Sequence, residues 1–338
     1  MSLEGGKNMS DTSLNKRDER GEWVPEDLPK PSPLFSWPWK PLAVLKYLFG
    51  PVGFLWPYNA AVALLAVISW AFFTPSLETT ATFGLGWMAA IYARNVVLVI
   101  LISGGFHLRL YIKKAQGLKY KYTDKWLAVD DPRFLFKNQT WDNIFWSLTS
   151  GVLIWTAYEA VTLWAYSNKL IPFVDWRTHP VYCVLMMVGV VILRQIHFFF
   201  IHWASHWKPL FKISHYLHHK NINIGPWSGL SMHPIEHLLY FSGVLFHWII
   251  PSHPIHAIFH LMHAGVTPAL GHTGFHRLAG SGDKSISVDN YFHYLHHRYF
   301  TANYGVPDVP LDYWFGTWAN GSPEDYAKML AKRKKAEG

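Results

Sequence analysis

Eighteen of the chain's 20 histidines lie between His197 and His297, and ten of these fall in four tight clusters. The clusters read His202-Trp-Ala-Ser-His206, His215-Tyr-Leu-His218-His219, His272-Thr-Gly-Phe-His276 and His293-Tyr-Leu-His296-His297. Neutral imidazole is the commonest biological metal ligand, and no other common role calls for it at this density. On an α-helix, residues i, i+3 and i+4 share one face. His202/His206 and His272/His276 are therefore expected as i, i+4 pairs, and each triad points one way from its own helix. Ten imidazoles are too many for one ion and suit two, with four or five nitrogens each. The triads repeat one another as His-Tyr-Leu-His-His-Lys and His-Tyr-Leu-His-His-Arg, which predicts similar roles on opposite sides of the metals. The single cysteine, Cys183, sits in an apolar run and excludes a Cys-rich zinc or iron-sulfur site. Nitrogen and oxygen must hold any metal.

A ligating imidazole usually donates its free N–H to a carboxylate or carbonyl. His233 begins His-Pro-Ile-Glu-His, where Glu236 can orient a ligand, and both are candidates for a supporting role. Among Asp283, Asp289, Asp308 and Asp312, Asp289 is favoured because it precedes the last triad. His256, His260 and His263 share a helical face and are read as packing or as the wall of an access path. The tract Asn303-Tyr-Gly305 to Trp314-Phe-Gly-Thr317 is rich in turn formers and aromatics and is expected to close over the site.

These residues must be held by something, and the composition points to a membrane. Half of the 338 residues are hydrophobic and 15% are charged, against roughly 25% charged in an average soluble protein. Aromatic residues make up 17%, which suits membrane–water interfaces. The net charge of +8 comes from residues spread through tails and loops. It fits anionic headgroups better than nucleic acid, for which no motif is present.

Four stretches approach the ~20 apolar residues of a bilayer crossing, namely Leu55 to Phe73, Leu85 to Phe106, Ile144 to Tyr166 and Val181 to Ile201. Arg94 and Glu159 interrupt them and are expected to pair, and Arg194 falls near the interface. The loop from His107 to Asn143 carries eight Lys or Arg, and Thr74 to Gly84 carries none. By the positive-inside rule the N-terminal tail, the basic loop and everything after the fourth span are cytoplasmic, so all four clusters share one side. Leu238 to Leu270 is broken by Pro251-Ser-His-Pro254. It reads as two helices packed in the membrane surface or as a re-entrant hairpin. The expected fold is all-α and polytopic, with about four transmembrane helices and a cytosolic helical cap carrying a His-rich di-metal site. The expected divisions are a disordered tail at 1–41, a transmembrane hairpin with its basic loop at 42–143, a catalytic histidine domain at 144–320 and a charged tail at 321–338.

From Asn143 to Thr317 the sequence resembles the fatty acid hydroxylase and sterol desaturase superfamily of integral-membrane enzymes. The resemblance rests on the His202/His206 pair, the triads at His215 and His293, the His-Pro-x-Glu element at His233, and Asn303-Tyr-Gly with Trp314-Phe-Gly-Thr. It implies a cap on a four-helix stem, two Fe ions that a structure can show as Zn after exchange, and O2 as co-substrate. The ligands it implies are His202, His206, His215, His218, His219, His272, His276, His293, His296 and His297. It further implies electrons from cytochrome b5 or a ferredoxin-type protein with its reductase. No histidine precedes His107, so this donor is expected to be a separate protein. The expected reaction is hydroxylation or desaturation of an unactivated C–H bond in a membrane lipid, whether sterol, fatty acyl or related. The expected location is the endoplasmic reticulum or a bacterial inner membrane. A His-lined metal transporter would need ligands within the spans, and a zinc-dependent lipid hydrolase would usually recruit carboxylate ligands.

Overall fold

The computed structural model describes residue 17 and residues 21–288 and 290–337. Asp289 and residues 1–16 and 18–20 lie outside them. The described chain is mostly helical, with little strand. Its main helices are α1 (Pro41–Phe49), α2 (Tyr58–Phe73), α3 (Leu85–Ile112), α4 (139–167), α5 (Pro180–Ser205), α6 (208–219), α7 (Pro234–Phe241), α8 (Pro254–Val266), α9 (Tyr291–Tyr299) and α10 (Pro323–Glu337). Between α8 and α9 a two-stranded antiparallel ribbon pairs Arg277–Ala279 with Ser285–Ser287.

Two helices, α3 with 28 residues and α5 with 26, are long and apolar enough to cross a membrane. At 1.5 Å per residue each exceeds the ~30 Å hydrocarbon core. The expected first span contracts to the 16 residues of α2. The third lies in α4, which is long enough but diluted by Asp142, Glu159 and several Ser and Thr residues. Large apolar side chains remain exposed along these helices, among them Phe72, Leu101 and Val181. Apolar exposure on this scale calls for lipid or a partner.

Inside the bundle Arg94 Nη2 reaches both carboxylate oxygens of Glu159 at 2.5 Å, and Asn95 and Thr74 complete the network. Both residues are buried. Removing one partner leaves an uncompensated buried charge, whereas removing both does not. Arg94→Met is therefore expected to destabilise the protein by about 3–5 kcal/mol. Adding Glu159→Leu should recover most of that loss in thermal melts of the detergent-solubilised protein.

The region 238–270 doubles back at Pro251–Pro254, where its prolines predict a break. At the tip Ser252 N donates to the Pro172 carbonyl and Val174 N to the Ser252 carbonyl, so the turn sits against the α4–α5 loop. The return leg, α8, is not laid on a surface. All 13 of its residues are buried, and it packs against α2, α4 and α5. Gly265 permits this, because a Cβ there would lie 2.3 Å from the Trp155 ring.

A second, aromatic core gathers Trp23, Tyr122, Tyr294, Tyr299 and Met329. Residues 21–41 lie along the histidine region, with Trp23 buried, its N–H on the Tyr122 carbonyl and Glu22 paired with Arg298. The C-terminal segment forms α10, which buries Met329. The basic loop joins the same region, since Tyr122 N donates to the Gly274 carbonyl and His276 N to the Tyr120 carbonyl. Basic loop and histidine clusters thus occupy one end of the bundle.

Candidate metal centre

Each histidine cluster is delivered by the end of an element. α5 brings His202 in its last turn and His206 at its C-cap. Trp207 is extended and the chain reverses into α6, which carries His215, His218 and His219. α9 carries His293, His296 and His297 and stops at Phe300, whose φ of 65° is a left-handed cap. His272 follows the single helical turn Pro268–Gly271.

Nine of the ten expected ligands converge, in two groups. His202, His206, His215, His219 and His296 form one, and His218, His272, His293 and His297 form the other. Within each group one ring nitrogen per residue lies within 4.8 Å of all the rest. The repeated triads explain the division. α6 gives its i, i+4 pair, His215 and His219, to the first group and His218 to the second. α9 does the reverse, giving His293 and His297 to the second group and His296 to the first.

The chemistry of these nitrogens fits a bound cation. His202 Nδ1 faces the Tyr304 carbonyl at 2.5 Å, His296 Nδ1 that of Ala302 at 2.6 Å, His272 Nδ1 that of Pro268 at 2.9 Å and His218 Nδ1 that of Ser231 at 3.3 Å. His215 Nδ1 faces Glu236 Oε1 at 2.7 Å. An oxygen acceptor at Nδ1 fixes the proton there and leaves Nε2 as a lone pair. These lone pairs face other imidazole nitrogens. Nε2 of His296 lies 3.1 Å from that of His206 and 3.0 Å from that of His219, and Nε2 of His272 lies 3.0 Å from that of His297. His202 Nε2 is buried with no hydrogen-bond partner. Metal–nitrogen bonds of ~2.1 Å put neighbouring ligand atoms roughly 3.0–3.4 Å apart, which matches this spacing. Burial pushes His215 down to about 3 and His218 to about 4, so both rings are in the neutral form that ligates. Burial pushes Glu236 the other way, up to about 7.

His276 does not join either group. After His272 the chain turns at Gly274, with φ +76°, and enters the ribbon, so the helical i, i+4 geometry never forms. His276 instead reaches Asp27 Oδ1 at 2.9 Å through Nε2 and the Tyr122 hydroxyl at 3.3 Å through Nδ1. His276→Ala is expected to keep the full metal content, while His272→Ala loses about half of it. Metal analysis of the two purified variants distinguishes these outcomes.

The expected supporting residues also separate. Glu236 contacts His215. His233 caps α7, accepting from Ile235 N at 3.3 Å, and lies outside both groups. Asp308 accepts from Tyr47 and Gln195, and Asp283 is exposed in the ribbon turn. Asp312 holds the closing tract, accepting from Tyr304 N at 2.8 Å, Gly305 N at 2.7 Å and Thr317 Oγ1 at 2.6 Å. The partners that sequence reasoning missed are backbone carbonyls, of which only those at 302 and 304 adjoin a tract it singled out.

Both groups border a cavity of about 600 Å³, lined by His202, His215, His218, His272 and His293, then by Phe198, Met232 and Phe292. Its size is that of a small-molecule site.

The sequence model of the family described as Fatty acid hydroxylase matches residues 187–317, the segment that carries all nine converging histidines. This segment belongs to the fatty acid hydroxylase family, and the chain is similar to curated sterol desaturases. Similar proteins within this lipid-modifying superfamily include the very-long-chain aldehyde decarbonylase GL1-7 of Oryza sativa, 25% identical over 89% of this chain and 45% of that protein. A Delta(7)-sterol-C5(6)-desaturase of Nicotiana tabacum is 27% identical over 49% of this chain and 60% of its own length. A Delta(7)-sterol 5(6)-desaturase of Candida glabrata is 26% identical over 65% and 59%. The chain spans about half the length of the curated relatives it matches. No solved structure matches it.

Proposed function

We propose that the chain is a membrane-embedded, O2-dependent di-iron oxidoreductase that hydroxylates or desaturates an unactivated C–H position of a lipid. One observation carries the reading: two imidazole groups, of five and four residues, lie side by side on the wall of one largely apolar cavity. Bound iron at such a pair of sites supplies activation of O2 with two external electrons and removal of hydrogen from an unactivated carbon. The nine histidines would hold the ions. Glu236 and the carbonyls of Tyr304, Ala302, Pro268 and Ser231 fix ring orientation, and Phe198, Met232 and Phe292 pack the hydrocarbon and exclude water.

The proposed stem has four spans, built around α2 to α5, with the site facing the cytoplasm beside the basic loop. The electrons would come from a separate cytochrome b5 or ferredoxin-type protein with its reductase, for which that loop offers a complementary surface. The rice relative's name favours a second outcome on the same scaffold, loss of the carbonyl carbon from a long-chain aldehyde.

Incubation of the iron-loaded protein with lipid extract, a reductase system and 18O2 tests the proposal. Label in a lipid alcohol indicates hydroxylation, and an oxygen-dependent loss of two hydrogens indicates desaturation. A shortened hydrocarbon indicates the aldehyde reaction. No oxygen-dependent change in any lipid would refute the reading.

A further inference from the structure

The same cavity carries a second polar cluster, set back from the imidazole groups by eight residues of α5, or about 12 Å of helix. It consists of Arg194 with Tyr240, His263 and Asn59, all on the cavity wall. Its hydrogen bonds are fixed from the outside inward. Asn59 Nδ2 donates to the Phe54 carbonyl at 2.6 Å, which turns the amide oxygen toward His263. That oxygen can only accept, so His263 Nε2 carries the ring proton and donates it at 2.7 Å. Burial, with the Arg194 charge nearby, holds this imidazole below its ordinary pKa and therefore neutral. Nδ1 is left as a bare lone pair, buried and without a partner.

Arg194 offers the complementary group. Its Nη2 donates to the Tyr240 hydroxyl at 2.7 Å, and that hydroxyl donates to the carbonyl of Ala264, the neighbour of His263, at 2.9 Å. Arg194 Nε is buried and has no partner. The guanidinium lies 5.9 Å from the Phe198 ring centroid and 5.8 Å from that of Tyr240, which spreads its charge over two aromatic faces. Arg194 and His263, each holding one such unsatisfied atom, thus line one cavity. Buried groups of this kind cost free energy until a ligand satisfies them.

We propose that Arg194 and His263 form a hydroxyl-recognition subsite. The substrate alcohol accepts from Arg194 Nε–H and donates its proton to His263 Nδ1, and its hydrocarbon extends toward the imidazole groups. A carboxylate has no proton for His263 and would face its lone pair. An ether, ester or aldehyde satisfies Arg194 alone. Sites built around a hydrogen-bonded hydroxyl discriminate strongly against analogues that lack it. The inference rests on the cavity being the lipid site proposed above.

The test is direct binding to the detergent-solubilised full chain, metal-loaded and metal-stripped, of octadecan-1-ol, octadecyl methyl ether and octadecanoate. The alcohol is expected to bind at least about 10-fold more tightly than either other probe. His263→Phe should bring alcohol and ether to within about 2-fold, and Arg194→Met should weaken both. Equal binding of alcohol and ether by the unaltered protein overturns the proposal, as does tightest binding of octadecanoate, which would mark an anion site. This order of probes decides even if a variant fails to fold. Because binding is read without turnover, a protein that prefers the alcohol but oxidises no lipid refutes the di-iron reading and leaves the subsite standing.

Discussion

Replacing His296 with alanine is expected to remove one metal ion and to lower lipid oxidation by more than about 100-fold, because loss even of a ligand's supporting partner costs 10–100-fold. His297→Ala is expected to remove the other ion with a similar loss. The two residues are adjacent in sequence, yet their rings are 5.9 Å apart and nearly perpendicular, at 87°. His296 Nε2 faces His206 and His219, whereas His297 Nε2 lies 3.0 Å from His272 and 3.2 Å from His293. Each substitution therefore opens one group and leaves the donors of the other in place. Iron content and turnover measured on the same preparations check this. Both variants retaining about two ions would contradict the assignment of ligands to groups.

Asp312→Ala is expected to have the largest effect of any substitution outside the histidines. Its buried carboxylate gathers the Tyr304 and Gly305 amides and the Thr317 hydroxyl, and the tract it holds supplies the Tyr304 carbonyl to His202. Asn303 braces the same tract by donating to the Phe292 and Ala319 carbonyls. Hydrogen bonds to a charged group contribute about 1.5–3 kcal/mol each, so losing three should cost at least about 4.5 kcal/mol of stability. Releasing His202 should weaken metal binding a further 10–100-fold. Thermal melts and metal titration separate the two effects: Asp312→Asn, which keeps an acceptor, should recover part of both. A variant with normal metal affinity and a lowered melting temperature would show that the tract braces the fold without positioning His202.

The histidine spacing made the convergence legible but not its division. Residues i, i+3 and i+4 share a broad face, and the sequence reading aimed each triad at one place. Adjacent helical residues nevertheless diverge by about 100°, so His218 and His219, with ring planes at 86°, enter different groups. His276 misled because a spacing of four means one face only while the chain remains helical, and Gly274 ends that condition. Glu236 was legible from its place beside His233, whereas the carbonyls that orient His202, His218, His272 and His296 carry no side-chain signature. The hydropathy of α3 and α5 marked them from sequence. Leu238 to Leu270 reads as two surface helices or a re-entrant hairpin because Pro251 and Pro254 interrupt its apolar run; the chain does double back there, and only tertiary packing reveals its return leg, α8, as buried within the bundle.

The central claim is that one chain holds two metal ions in two imidazole groups. The most direct measurement is the iron stoichiometry of the purified, iron-loaded protein, with His296→Ala and His297→Ala assayed in parallel. The expected values are about two ions per chain, falling to about one in each variant. A stoichiometry of one or fewer in the unaltered protein, or variants that keep both ions, would contradict it.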